Sequence, residues 1–454
     1  MAPGQLHLNV FVVGHGHHEA AWRHPRSATV PVTDVAYFQR LARRAEEGLL
    51  DSVFFADQLI VGGDAGHRPR GGLEPLTLLA ALATATERIG LIATASTTYT
   101  EPYNLARQFA SLDHISHGRI GWNIVTSWAR GAARNFGLDQ PIPHDERYAR
   151  AFEYLEVVTR LWDSWADDAI LHDRESGRFA DPDKIRGARF QGRFYRVHGA
   201  LTVPRSPQGH PVLVQAGSSE EGRRFAAHHA EAIFTAQQDV DEARDFATDV
   251  RRRAAAAGRD PRHLKILPGL SPIIGSTEEA ARRLERELNE LTVPEVGLRH
   301  LSARFDGVDL SGLPLDEPVP LDALPQPSEV QGPQSRARLI TELVRRERPT
   351  LRELLYRLAG GRGHLVVAGT PEQIADRIEH WAGAGAADGF NVMPPYLPGG
   401  LDDFIDHVVP ELQRRGLFRK EYEGTTLRDN YDLPRPRNRV FAHEETTPPP
   451  RSSS

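Results

Sequence analysis

Two short apolar runs, Ile89–Ala95 and Arg119–Val125, flank a stretch that reads as a helix, and this βαβ unit constrains the fold more than any other feature. Pro102 suits the first turn of that helix, where its missing N–H goes unnoticed. Leu105, Phe109 and Leu112 repeat at i, i+4, i+7 and give it one apolar face. Gly118 stops it. Two strands joined through a helix lie parallel, so both hydroxyl-rich exits, Ser96–Thr98 and Thr126–Ser127, fall on the same sheet edge. In parallel α/β folds that C-terminal edge is where ligands bind.

The same alternation recurs along the chain. Strands are expected at Leu6–Val13, Ser52–Ala56, Val212–Ala216, Ala232–Thr235, Leu264–Ile274 and Gly389–Met393, beside the two already named. Helices are expected at Asp34–Glu47 (with Thr33 as cap), Pro75–Thr86, His144–Trp165, Asp239–Ala257, Thr277–Leu291, Ser335–Leu358 and Leu401–Gly416. About eight strand–helix alternations favour a single α/β (β/α)8 TIM barrel over residues 1–433. Insertions are expected at about 167–209 and 292–365, the stretch Thr292–Pro333 being irregular enough to serve as a lid. Residues 434–454, rich in Pro, Arg and Ser, are expected to be a disordered tail. No Gly-x-Gly-x-x-Gly follows a strand, which argues against a dinucleotide fold.

Composition narrows the function. With 55 Lys+Arg against 61 Asp+Glu the net charge is −6, which disfavours nucleic-acid or membrane-surface binding. No cysteine is present, so thiolate catalysis and Cys-ligated metals are excluded. Neither a signal peptide nor a membrane span is evident, and a cytoplasmic location is expected.

Several residues at strand ends could carry chemistry. Gly217-Ser218-Ser219 opens a helix after a strand: it suits a phosphate, or it is an ordinary serine cap. His144 and Tyr148 share a helix face and can donate to an anion, or merely pack on the rim. Asp57 ends the second strand, where it can accept from a ligand or cap a helix. His15-Gly16-His17 follows the first strand, as in metal-dependent barrel hydrolases, but the lysine and aspartate ligands of such sites have no counterpart, and polar lining of a pocket is the better reading. Arg68, Arg70, Arg130 and Arg134 could receive an anion or remain solvated.

Collinear motifs add a resemblance. Trp22-Arg23-His24-Pro25, Phe54-Phe55-Ala56-Asp57, Ser96–Tyr99 with Pro102-Tyr103, Gly121–Ser127, His144–Tyr148, Ala216–Ser219 and Asp388–Asn391 resemble the flavin-dependent monooxygenases of the bacterial-luciferase superfamily. Within it they resemble the nitrilotriacetate, dibenzothiophene-sulfone and long-chain-alkane monooxygenase group. The resemblance implies a barrel holding reduced FMN, delivered by a separate NAD(P)H:flavin reductase, with O2 as co-substrate. It puts Asp57, Thr94, His144, Tyr148 and Ser218 on FMN-contacting positions and adds Asn123 and Ser219. Ser218 and Tyr148 would face the phosphate; Asp57, Thr94 and Asn123 would lie near the ring or ribityl chain. His17, from the His15–His18 cluster, would assist the oxygen chemistry or move a proton. The superfamily also implies a homo-oligomer. A deazaflavin-dependent oxidoreductase of the same superfamily and a metal-dependent barrel hydrolase are the alternatives.

Overall fold

A computed structural model describes residues 5–441, apart from 63–64, 68, 70 and 331–333. Eight parallel strands close into a barrel: β1 (His7–Val12), β2 (Ser52–Phe55), β3 (Gly90–Ser96), β4 (Ile120–Val125), β5 (Val212–Gln215), β6 (Ala232–Thr235), β7 (Lys265–Ile274) and β9 (Gly389–Val392). Neighbours pair in that order, and β9 returns to β1 with Asn9 opposite Asn391. The eight strands anticipated from the apolar runs are these eight, to within a residue or two at each end.

A ninth strand, β8 (Leu365–Gly369), was missed. It pairs only with the distal half of β7, Leu270–Ile274, beyond the ring itself. Five residues are too few to show a period, and β8 follows directly on helices of the insertion.

The helices follow from capping and periodicity. In α1 (Val35–Glu47) Asp34, rather than Thr33, is the cap, accepting from the Tyr37 N–H, and Tyr37, Phe38, Leu41 and Ala45 are buried. Then come α2 (Pro75–Ala83), α3 (Pro102–Ile115), α4 (His144–Trp162), α5 (Glu220–His229) and α6 (Val240–Ala256). Among the described residues no helix is long and apolar enough to cross a membrane.

The barrel lumen is filled by Phe11, Phe54, Ile92, Val214, Phe234, Leu267 and Met393. Its N-terminal end is stoppered by Leu427 and Tyr431, whose hydroxyl donates to Asn9 Oδ1 at 2.6 Å. The lumen is therefore a packed core, and a cavity opens at the strands' C-terminal ends.

Two excursions leave the barrel. Residues 167–209 hold two small antiparallel pairs, Ile170–Asp173 with Arg178–Ala180 and Phe190–Gln191 with Arg196–Val197. After α7 (Glu278–Glu290), residues 292–364 form α8 (Pro294–Arg304), α9 (Gln334–Glu347) and α10 (Leu351–Gly361). These helices have a core of their own around Leu301, Phe305, Leu343, Leu351 and Leu355. The expected single helix over Ser335–Leu358 is two helices, broken at Arg348-Pro349 because proline restricts the residue before it. Thr292–Pro333, expected to be irregular, contributes the whole of α8.

The expected disordered tail needs correction over residues 434–441. Both Arg435 terminal nitrogens donate to Asp167 at 2.7 Å, Asn438 Nδ2 donates to the Trp165 carbonyl at 2.8 Å, and Phe441 is buried. Composition signalled disorder, but these side chains clamp the end of the chain onto the turn after α4. The remainder, 442–454, lies outside the described residues.

Candidate functional site

One cavity of about 1200 Å³ opens at the C-terminal ends of the strands, and Asp57, Thr94, Asn123, His144, Tyr148, Ser218 and Ser219 all line it. Ordinary ligand pockets run to roughly 300–1,000 Å³, so this one has room for a cofactor and a substrate together.

On the floor, Thr94 and Asn123 stand side by side in the β3–β4 register. The Asn123 amide donates to Thr94 Oγ1 at 2.8 Å. Its other end, Oδ1, is buried with no partner among the described residues, as is Gln215 Oε1 at the end of β5. A buried acceptor without a donor is destabilising by about 1–3 kcal/mol, so both point to donors brought by a ligand. Asp57, just after β2, is partly buried; burial raises its carboxyl above the usual range, while the Gln58 N–H at 2.8 Å opposes the shift.

At one end two helices begin. Ser219 caps α5 by accepting from the Gly222 N–H at 3.2 Å, so the capping role is real. Among the described residues Ser218 Oγ has a single long contact, 3.5 Å to Thr235 Oγ1. Opposite, α4 starts at His144, whose ring sits 5.1 Å from that of Tyr148. The two ends meet at Gly217: a Cβ there would stand 2.3 Å from Gln215 Nε2 and 3.1 Å from the Tyr148 hydroxyl. Only glycine leaves that cradle open. Free N–H groups of α5, a hydroxyl and a phenol around a glycine suit a phosphate.

His17 does not reach the cavity wall. It is 1% exposed, its Nε2–H donates to the Phe11 carbonyl at 2.9 Å, and burial lowers its pKa to about 3. A ring held neutral behind Phe11 has neither the access nor the basicity that the expected proton role needs. His15 and His18 turn to other partners, the Val30 carbonyl and Asn289. Among the described residues no three His, Asp or Glu side chains gather as a metal site would require. Arg130 and Arg134 are not on the cavity wall, and Arg130 instead donates to Gln140. Arg68 and Arg70 lie outside the described residues.

Other lining residues escaped the sequence reading. Gln215 carried the same signal as Asp57, a polar residue ending an apolar run. Phe234 and Gln237 follow from β6. His364 stacks on Phe234 with ring centroids 4.8 Å apart, and Arg338, Leu339 and Glu342 come from α9. These last four belong to the 292–364 excursion, and no local pattern announces that it returns over the barrel mouth.

The comparisons with known proteins agree with this geometry. A family model described as luciferase-like monooxygenase matches residues 11–388. The chain belongs to that family. It is 48% identical to N-acetyl-S-(2-succino)cysteine monooxygenase of Bacillus subtilis (strain 168), over 96% of this chain and 98% of the relative. It is 47% identical to nitrilotriacetate monooxygenase component A of Aminobacter aminovorans, with the same coverage. Among solved structures, DmoA from Hyphomicrobium sulfonivorans superposes with a TM-score of 0.86 at 33% identity, over 98% of this chain and 100% of that one. This luciferase-like chain is thus a monooxygenase on a (β/α)8 barrel.

Proposed function

We propose that this luciferase-like protein is the oxygenase component of a two-component system. It takes reduced FMN from a separate NAD(P)H:flavin reductase and uses O2 to oxygenate a small organic substrate, working in the cytoplasm as a homo-oligomer. The observation that carries the reading is the convergence of seven motif residues on one cavity that also exposes two buried, unpartnered acceptors, Asn123 Oδ1 and Gln215 Oε1. That Aminobacter aminovorans has a "component A" at 47% identity supports the two-component arrangement.

In this reading Ser218, Tyr148, His144 and the N–H groups that open α5 hold the phosphate. Asn123 and Gln215 accept from donors of the bound mononucleotide, and Thr94 fixes the Asn123 amide so that its oxygen faces inward. Asp57, its carboxyl raised by burial, accepts from a hydroxyl or ring N–H at the opposite wall. Reduced FMN, once bound, supplies the electrons that activate O2, so that one oxygen atom enters the substrate and the other leaves as water. Phe234 and the stacked His364 close the deep side against water, and Arg338, Leu339 and Glu342 of α9 stand over the mouth.

The test is anaerobic titration of the purified protein with reduced FMN, followed by O2 and a substrate panel that starts from the molecules in the two relatives' names. Saturable binding, and product formed only with reductase, NAD(P)H and O2 together, is the expected result. Absence of flavin affinity, or flavin affinity untouched in a Ser218→Ala/Tyr148→Phe double variant, would sink the assignment of this cavity.

A further inference from the structure

The cavity wall holds three arginines, and they differ in what they pair with. Arg223 is committed: its Nε donates to the Ser218 carbonyl and its Nη1 to Asp249, both at 3.2 Å. Arg338 is exposed on α9. Arg147 is only 9% exposed, and among the described residues its one side-chain hydrogen bond runs from Nη1 to the Ile142 carbonyl at 2.6 Å. Its Nε is buried with no partner, and no carboxylate among the described residues pairs with it.

A buried cation without an anion is costly unless something supplies the counter-charge. The groups that face Arg147 electrostatically are two phenols, Tyr148 and Tyr99, and burial pulls its guanidinium below the usual value. Tyr148 carries its hydroxyl to the Gly217 cradle. Arg147 itself lines the same cavity and lies in the first turn of α4. The two glutamates in the first turn of α5 are already held, Glu220 by Arg253 and Glu221 by Arg224 at 3.6 Å.

We infer that Arg147 is the counter-charge of the mononucleotide's phosphate, and that it makes the site select FMN over the phosphate-free flavin. This rests on the flavin reading of the cavity. The phosphate oxyanions receive the Arg147 N–H groups beside Tyr148, Ser218 and the α5 N-terminus, a charge-assisted contact worth more than a neutral hydrogen bond. Riboflavin, with the same ring and no phosphate, leaves Arg147 as uncompensated as it is without ligand.

The experiment compares Kd for FMN and for riboflavin, by flavin fluorescence, in wild type, Arg147→Gln, Arg147→Lys and the charge control Arg130→Gln. Arg147→Gln is expected to weaken FMN by roughly 10- to 100-fold and riboflavin by less than about 2-fold. Arg147→Lys should recover part of the loss, and Arg130→Gln should change neither. Inorganic phosphate should compete with FMN in wild type and much less in Arg147→Gln. Equal losses for both flavins, or none for either, overturns the inference while leaving the flavin reading intact. A wild-type protein that binds neither flavin overturns both.

Discussion

Arg119 and Arg147 are both buried arginines without a direct carboxylate bond, and burial pulls both guanidinium groups below their ordinary value. Their surroundings differ completely. Arg119, at the N-terminal end of β4, uses every donor. Its Nε goes to the Ser116 carbonyl, Nη1 to Thr86 Oγ1 and the Ile89 carbonyl, and Nη2 to the carbonyls of Ala83 and Thr86, at 2.7–3.0 Å. It ties α2, α3 and β3 together beneath the sheet. Arg147, at the other end of the barrel, makes one such bond and leaves Nε bare. A saturated buried cation is a structural tie; an unsaturated one on a cavity wall is half of an interaction whose other half arrives as ligand.

The largest expected effect comes from breaking the saturated one. Arg119→Met should destabilise the fold by about 3–5 kcal/mol, because four backbone carbonyls lose their donors in a dry interior. Urea unfolding followed by circular dichroism reads this directly. A loss below about 1 kcal/mol would erase the proposed distinction. Arg147→Gln is the reverse case: the flavin-free protein should stay within about 1 kcal/mol of wild type in the same assay, while FMN affinity falls by roughly 10- to 100-fold.

Next is pH. Burial lowers His17 and His229 to about 3 and His18 to about 4, from an ordinary 6.5. The unfolded chain takes up these protons near 6.5 and the folded chain does not. Stability contributed by the neutral rings is thus complete above 6.5 and drains away as pH falls towards 3–4, by up to about 1.4 kcal/mol per pH unit for each histidine. Thermal unfolding between pH 7 and 4.5 should show a steady fall in Tm, and His17→Phe should flatten part of it. No change in slope would mean that the ring is not the neutral, inaccessible group described. Smallest is Ser218→Ala alone, expected to weaken FMN by less than 10-fold because Tyr148, Arg147 and the α5 amides remain. Ser219→Ala, by contrast, should register chiefly as helix stability, about 1 kcal/mol, because its hydroxyl caps α5.

Much of this was written locally. Eight apolar runs with polar exits identified the barrel and its working edge, since strand burial and helix periodicity depend on neighbours two to four residues away. Asp57, His144, Tyr148, Ser218 and Ser219 could be named for the same reason, each sitting at or beside the end of a recognisable element, whereas Thr94 and Asn123, inside their strands, came from the resemblance. What they would bind came from resemblance, because the same edge serves many ligands.

Tertiary structure alone decided the rest. Whether a histidine near a strand end faces the cavity or the Phe11 carbonyl depends on which side chains fill the lumen, and His17 faces the carbonyl. The cover supplied by α9 and His364 depends on how a long excursion folds back, and the clamp at Arg435–Phe441 on an aspartate some 270 residues earlier. Arg119 and Arg147 are the same letter in the sequence. Only long-range packing determines that one finds five acceptors while the other is left waiting for an anion.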